Sequence, residues 1–276
     1  MPIHRLKSVN TWLSEITAAL QGVVERPRRE AQLLIMAHFK KDELWLMTHE
    51  NDEVEVGEKL AAWVERRRKN EPLEYITNSV SFYSQEFHIE AGALIPRPET
   101  ELLIDEVLAV ADRDKVLTIV EVGVGSGIIS TILAQELPQA KIIAVDISLK
   151  ALKVARKNIE AFGLSQRIEL REGDLLEPIT EKIDILVSNP PYIADGEPLE
   201  SNLDYEPDLA LFGGTIGDEI IQRLLDETLQ RKIPCFACEM GYDQKDKVEN
   251  YLNNRYSALK FYKDLAGHDR GFVLQR

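Results

Sequence analysis

The chain has little of what would mark a disulfide scaffold, a membrane span or a nucleic-acid grip. It holds two cysteines, Cys235 and Cys238, among 276 residues, which offers no disulfide framework and suits a reducing cytoplasm. No apolar run nears the roughly 18 to 20 residues that a membrane span needs. The opening stretch MPIHRLKSVNTWLSEI has neither an uninterrupted apolar segment nor a small-residue cleavage site, so no signal peptide is expected. Basic residues are in deficit: 33 Lys and Arg against 47 Asp and Glu leave a net charge of −14. Phosphate binding rests on positive charge, so this balance speaks against direct nucleic-acid partners, although a local basic patch can hide inside an acidic total. The histidines (His4, His38, His49, His88, His268) show no ligand spacing. Cys235 and Cys238 fall in a strand pattern where i and i+3 face opposite sides, so no metal site is expected.

What is present suffices for a core, since 44% of the residues are hydrophobic. Residues 1 to about 75 contain no convincing strand. Leu6, Trp12, Leu13, Ile16 and Leu20 recur at helical steps, a second helix is expected over Arg28–Phe39, and Asp42 is placed to cap a short third. A further helix over Gly57–Asn70 ends in the run Arg66, Arg67, Arg68, Lys69, which reads as a solvated helix end complementing the helix dipole. Val80 to Ile89 is aromatic and partly alternating, as in a short hairpin or extended linker. In Leu94-Ile-Pro96-Arg97-Pro98-Glu99-Thr100-Glu101, two prolines fix the backbone around Arg97 before a helix begins.

Thereafter strand and helix patterns alternate. Strands are expected over 116–122, 141–146, 167–171, 183–188 and 235–240, then two more over 259–263 and 271–274 with no helix between them. This predicts an α/β, doubly wound, mostly parallel sheet with one antiparallel member near its end. Three domain segments follow: a helical region (1–75), a hairpin linker (76–93) and the sheet domain (94–276).

Three constellations carry chemistry. Glu121-Val-Gly123-Val124-Gly125-Ser126-Gly127 lies where the first sheet strand turns into a helix; glycines there admit a ligand to backbone N–H groups at a helix start. The spacing is not that of the dinucleotide fingerprint. Asp146 ends the next strand, where a carboxylate can accept both hydroxyls of a ribose, and it or Ser148 can also cap the following helix. Ser188-Asn189-Pro190-Pro191-Tyr192 follows the fourth strand at its carboxyl end, where open α/β sheets bind ligands. An amide nitrogen is a poor nucleophile because its lone pair is delocalised into the carbonyl. Aiming that lone pair at an electrophilic methyl requires holding the NH2 by both hydrogens. The Asn189 side-chain oxygen and the Pro190 carbonyl suit this, on a loop stiffened by Pro190 and Pro191, and Tyr192 can stack on a planar acceptor. Asp174 and Leu175, after the third strand, are placed to meet an adenine ring, or simply to cap a loop and fill the core.

These residues resemble the HemK/PrmC family, glutamine methyltransferases of peptide chain release factors. The likeness runs through Arg28-Arg29-Glu30-Ala31, Glu71-Pro72-Leu73, the Ile95-to-Glu101 segment, the glycine turn and Asn189-Pro190-Pro191-Tyr192-Ile193. It continues in Tyr205-Glu206-Pro207, Glu239-x-Gly241-x-x-Gln244 and Asp264-Leu265-Ala266-Gly267. Glu121, Val124 and Leu175 depart from residues frequent in the family, respectively Asp, Thr and an aromatic. The resemblance implies a seven-stranded, Rossmann-like class I methyltransferase sheet and S-adenosylmethionine as cofactor; a cytoplasmic monomer is expected. It also implies a small all-helical N-terminal domain, joined by a hairpin, that holds a class 1 release factor whose Gly-Gly-Gln glutamine is methylated. Cofactor-binding residues are then Glu121, Gly123, Val124, Gly125, Ser126, Gly127, Asp146, Asp174, Leu175 and Asn189. The acceptor site is Asn189, Pro190, Pro191 and Tyr192. The Asn-Pro-Pro-Tyr loop also occurs in amino-methyltransferases of nucleic acids, which is the alternative. A nicotinamide dehydrogenase has the wrong glycine spacing, and a non-catalytic adaptor would not need these signatures.

Overall fold

A computed structural model of the protein describes residues 6–253 and 255–276, so His4 lies outside the described residues. The chain forms two compact units, Met1–Ser79 with Glu200–Tyr205, and Val80–Leu199 with Glu206–Arg276. In the first unit the elements are β1 (Leu6–Ser8), α1 (Val9–Leu20), α2 (Pro27–Phe39), α3 (Glu43–Thr48), β2 (Glu53–Glu55), α4 (Glu58–Arg68) and α5 (Leu73–Thr77). Buried Val9, Trp12, Leu13, Ile16 and Leu20 form one stripe of α1. Leu6 is not on that helix as expected. Ser8 caps α1 by accepting the Thr11 N–H at 3.2 Å, so the chain before it is extended, and Leu6 is 64% exposed. Nor is the region free of strands: β1 pairs antiparallel with β2 over three residues, too few for alternation to show in the sequence. Asp42 caps α3 as expected, its Oδ1 accepting the Trp45 N–H at 2.8 Å.

The basic run divides. Arg68 pairs with Glu65 on the exposed surface, but Arg67 turns inward and is buried. Its guanidinium meets the Glu30 carboxylate of α2 through two nitrogens and donates to Asn70 Oδ1 and the Glu71 carbonyl, both at 3.1 Å. A fork of donors can satisfy a helix end and a neighbouring helix at once, which a point charge cannot.

The second unit continues with β3 (Ser79–Phe82), β4 (Gln85–His88), α6 (Thr100–Val110), β5 (Thr118–Val122), α7 (Ile128–Glu136), β6 (Lys141–Asp146), α8 (Leu149–Ala161), β7 (Ile168–Glu172), β8 (Ile185–Ser188), β9 (Ile193–Ala194), α9 (Asp208–Leu211), β10 (Phe212–Gly214), α10 (Glu219–Arg231), β11 (Cys235–Glu239), α11 (Lys245–Leu252), β12 (Ala258–Lys263) and β13 (Asp269–Gln275). Of the two readings open for 80–89, the hairpin is found. Tyr83 and Ser84, at φ 51° and 59°, make the two-residue turn that joins β3 to β4. Tyr83 is held there by its N–H to Glu101 and its hydroxyl to Asp105, at 2.7 and 2.8 Å.

The sheet has seven strands in the order β12-β13-β11-β8-β5-β6-β7. Neighbours from β11 to β7 are parallel, while β13 runs antiparallel to β11 and β12 antiparallel to β13. Side chains of β5 alternate between two cores: Ile119 packs with α6, α7 and α8, and Val120 and Val122 with α10 and α11. Cys235 and Cys238 likewise fall in opposite cores. From β5 the chain steps outward to β6 and β7, then returns to β8 on the other side of β5. The carboxyl ends of β5 and β8 therefore diverge into a crevice.

The three tryptophans, Trp12, Trp45 and Trp63, all lie in the N-terminal unit, so their fluorescence reports its unfolding alone. Arg67→Ala is expected to destabilise that unit by about 3 kcal/mol, because Glu30 keeps a largely buried charge without its partner. Arg68→Ala should cost less than about 1 kcal/mol. Urea titrations followed by tryptophan emission check this; equal midpoints would show that the buried pair contributes no more than the surface one.

Candidate active site

The crevice holds a cavity of about 320 Å³. Register explains its floor: Val122 of β5 pairs with Ser188 of β8, so Gly123 and Asn189 leave the sheet side by side. A Cβ at Gly123 would lie 3.7 Å from the Asn189 carbonyl oxygen. The turn after β5 is pinned by the Gly123 and Val124 N–H groups donating to the Val145 carbonyl at 2.9 and 3.0 Å. Gly123, Gly125 and Gly127 have φ of 76°, 54° and 79°, a backbone open to glycine at little cost. Of the residues singled out in the sequence, Glu121, Gly123, Val124, Gly125, Ser126, Asp146, Asp174, Leu175, Asn189, Pro190 and Pro191 line the cavity, and Gly127 and Tyr192 do not. A Cβ at Gly127 would come within 3.0 Å of the Ala155 backbone, so this glycine lets α7 approach α8.

Glu121 is buried on the sheet. The Ser130 backbone N–H and hydroxyl, in the first turn of α7, both donate to its Oε2, which leaves Oε1 for a ligand. Burial pushes its pKa up to about 8, against the two Ser130 hydrogen bonds. Asp146 accepts the Gly125 N–H at 2.9 Å and the Ser148 N–H at 2.8 Å, one on each oxygen. Its pKa is raised because burial outweighs those bonds. Ser148 itself caps α8. Asp146 thus ties the glycine turn to the start of α8 and lines the cavity between them. Asp174 is turned to Arg223, 2.6 Å away, so its carboxylate is already paired; Leu175, at φ 48°, forms buried apolar wall.

Asn189 is a polar part of the cavity wall beside the glycine turn. Its Nδ2 donates to the Thr100 hydroxyl at 3.1 Å, and its Oδ1 accepts no hydrogen bond among the described residues. The Tyr192 ring packs on the core beneath the loop, and its hydroxyl reaches Glu239 at 3.4 Å; burial, then the Glu239 charge, raises its pKa. Gln244 braces the same loop, donating from Nε2 to the Tyr192 and Gly217 carbonyls, both at 3.1 Å. Glu206, buried, accepts the Ile95 N–H at 3.0 Å and meets Arg97 at 2.6 Å. That clip fastens Ala93–Pro96 to the Pro207–Phe212 wall. Asn158 joins the Ser126 carbonyl to both backbone groups of His88. Sequence reasoning assigned no role to Thr100, Ser130, Asn158, Glu206, Glu239 or Gln244. Four of them stand inside motifs that carried the family resemblance, but no spacing shows that residues 139 positions apart share a hydrogen bond.

The seven-stranded sheet with its switch-point cavity defines a class I methyltransferase domain. Residues 98–203 match the methyltransferase small domain, and residues 11–77 match the PrmC N-terminal domain. The chain is 38% identical over 256 residues to the release factor glutamine methyltransferase of Koribacter versatilis, with 90% of each chain covered. It is 34% identical to that of Clostridium acetobutylicum, covering 87% of this chain and 88% of the relative. The human METTL16 catalytic domain, solved in complex with a MAT2A 3′UTR hairpin, shares the fold at a TM-score of 0.57 and 14% identity, over 79% of each chain. At such coverage and identity the chain belongs to the release factor glutamine methyltransferase family. Among the described residues, no helix is long and apolar enough to cross a membrane.

Glu121 gives the cavity a pH signature. A carboxyl raised to about 8 in the folded protein, against about 4.3 when unfolded, makes the folded state the better proton binder between those values. Its contribution therefore favours folding at pH 5 and is lost as pH rises through 8. Glu121→Gln, which cannot ionise, should melt higher than wild type at pH 9, with a smaller difference at pH 5. Thermal melts of the unliganded proteins check this; a difference independent of pH would mean that Glu121 is ionised throughout.

Proposed function

We propose that this protein transfers a methyl group from S-adenosylmethionine to the side-chain amide nitrogen of a glutamine in a class 1 peptide chain release factor, in its Gly-Gly-Gln loop. The observation that carries this is Asn189. Its amide is anchored through nitrogen, its oxygen is left free on the cavity wall, and it stands beside the glycine turn. That oxygen takes one hydrogen of the acceptor NH2, and the Pro190 carbonyl takes the other. The nitrogen lone pair then points along the remaining direction, across the crevice.

The residues opposite fit the cofactor. Asp146 offers free lone pairs to two vicinal hydroxyls, Leu175 and Ile147 offer apolar wall to a purine, and Oε1 of Glu121 meets an ammonium. When bound, the cofactor supplies an electrophilic methyl on a positively charged sulfur. Asn189 and the Pro190 carbonyl hold the acceptor hydrogens more strongly as positive charge grows on nitrogen, so their help peaks in the transition state. The N-terminal unit, matching the PrmC N-terminal domain, is read as the part that holds the release factor. This reading is of a cytoplasmic enzyme.

Asn189→Ala should lower kcat about a hundred- to a thousand-fold, by analogy with removing one oxyanion-hole donor, with little change in cofactor affinity. Asn189→Asp keeps an acceptor and should keep some activity. Near-normal kcat with weakened cofactor binding in the Ala variant would demote the loop to a structural turn. Asp146→Ala should weaken cofactor binding roughly ten- to a hundred-fold in a folded protein; calorimetry showing unchanged affinity would leave Asp146 as a tie between turn and helix. Methyl-labelled cofactor offered with release factor, tRNA, ribosomal RNA and DNA in parallel separates the protein substrate from the nucleic-acid alternative. Label entering RNA or DNA and not the release factor would overturn the assignment.

A further inference from the structure

The Asn189 side chain is useful only one way round. Its two amide ends have nearly the same shape, so nothing steric decides whether oxygen or NH2 faces the acceptor. With NH2 outward, donor would meet donor and the acceptor glutamine would be repelled. The loop carries no device of its own against this flip.

The device lies behind it. Thr100, the first residue of α6, lines the cavity beside Asn189. Its hydroxyl donates to Oε2 of Glu239 at 2.8 Å. Glu239 ends β11 and is 2% exposed; its other oxygen receives the Tyr192 hydroxyl at 3.4 Å. A hydroxyl has one hydrogen, and the ionised Glu239 carboxylate, an acceptor only, claims it. Thr100 therefore shows Asn189 only lone pairs, which accept the Nδ2 hydrogen at 3.1 Å and would repel Oδ1 in the flipped amide. The chain of bonds has a direction, carboxylate to hydroxyl to amide, and its free end is the Asn189 oxygen.

We propose that Thr100 and Glu239 are positioning residues that fix the orientation of the Asn189 amide, and so present its oxygen to the acceptor nitrogen. This rests on the acceptor-site reading of Asn189. Neither residue touches the reacting atoms; both act through Asn189. Tyr192 strengthens the arrangement, since the same carboxylate ties down the far side of the loop.

The test is a double-mutant cycle between Thr100 and Asn189 on the full-length enzyme. It measures kcat, KM for the release factor, cofactor affinity and melting temperature for each variant. Thr100→Val keeps nearly the same shape without the hydroxyl and should lower kcat roughly ten- to a hundred-fold, with KM and cofactor affinity close to wild type. Thr100→Ser restores the hydroxyl and should recover most of kcat. The double variant Thr100→Val/Asn189→Ala should be no slower than Asn189→Ala alone, because Thr100 has nothing left to orient. If Thr100→Val leaves kcat unchanged, or the two losses multiply, the positioning role is refuted while the acceptor site stands. If Asn189→Ala itself leaves kcat intact, the acceptor-site reading falls and takes this inference with it.

Discussion

Pairing of Val122 with Ser188 is the contact on which the rest of the site depends. The chain runs from β5 out through β6 to β7 and returns to β8 on the opposite flank of β5. Two loops far apart in sequence thus leave the sheet as neighbours, one rich in glycine and one rich in proline. The glycine turn can be approached by a ligand, and the proline loop holds its shape before anything binds. A slip of β8 by one residue in this parallel register would move Asn189 away from Gly123 and turn each β8 side chain toward the wrong core.

Around that junction the chain buries carboxylates, which is costly unless each finds donors. The carboxyl of Glu121, on β5, meets the first turn of α7, where free N–H groups and the helix dipole favour negative charge. Asp146 takes two backbone N–H groups. Glu206 takes a backbone N–H and an arginine, and Glu239 takes two hydroxyls. Burial still raises Glu121 to about 8 and Glu239 to about 7. Such groups are poor choices for stability and good ones for a site that must meet a cationic cofactor and a forming positive charge. Local rules are broken where function demands it.

The fold was legible because parallel strands buried on both faces read as β-branched runs, and β6 (Lys141–Asp146) was placed to the residue. The β1–β2 ribbon was not, since three-residue strands show no period. The inward turn of Arg67 was hidden because a run of four basic residues looks the same whichever way one of them faces. At the site, motifs that hug a single loop were readable: the glycine turn, Asp146, and Asn189 with its prolines. What could not be read were the long-range supports, Thr100 to Glu239 and Ile95 to Glu206, which exist only once the sheet brings α6, α9 and β11 together. The pairing of Asp174 with Arg223 is of the same kind.

The central claim is that the planar nitrogen held by Asn189 belongs to a glutamine side chain. Fragmentation mass spectrometry of a release factor, treated with the enzyme and S-adenosylmethionine and then digested, tests it most directly. The account predicts a single added methyl on the side chain of the Gly-Gly-Gln glutamine, absent when Asn189→Ala enzyme is used. A methyl found on any other residue, or one that appears equally with the Asn189→Ala enzyme, would contradict it.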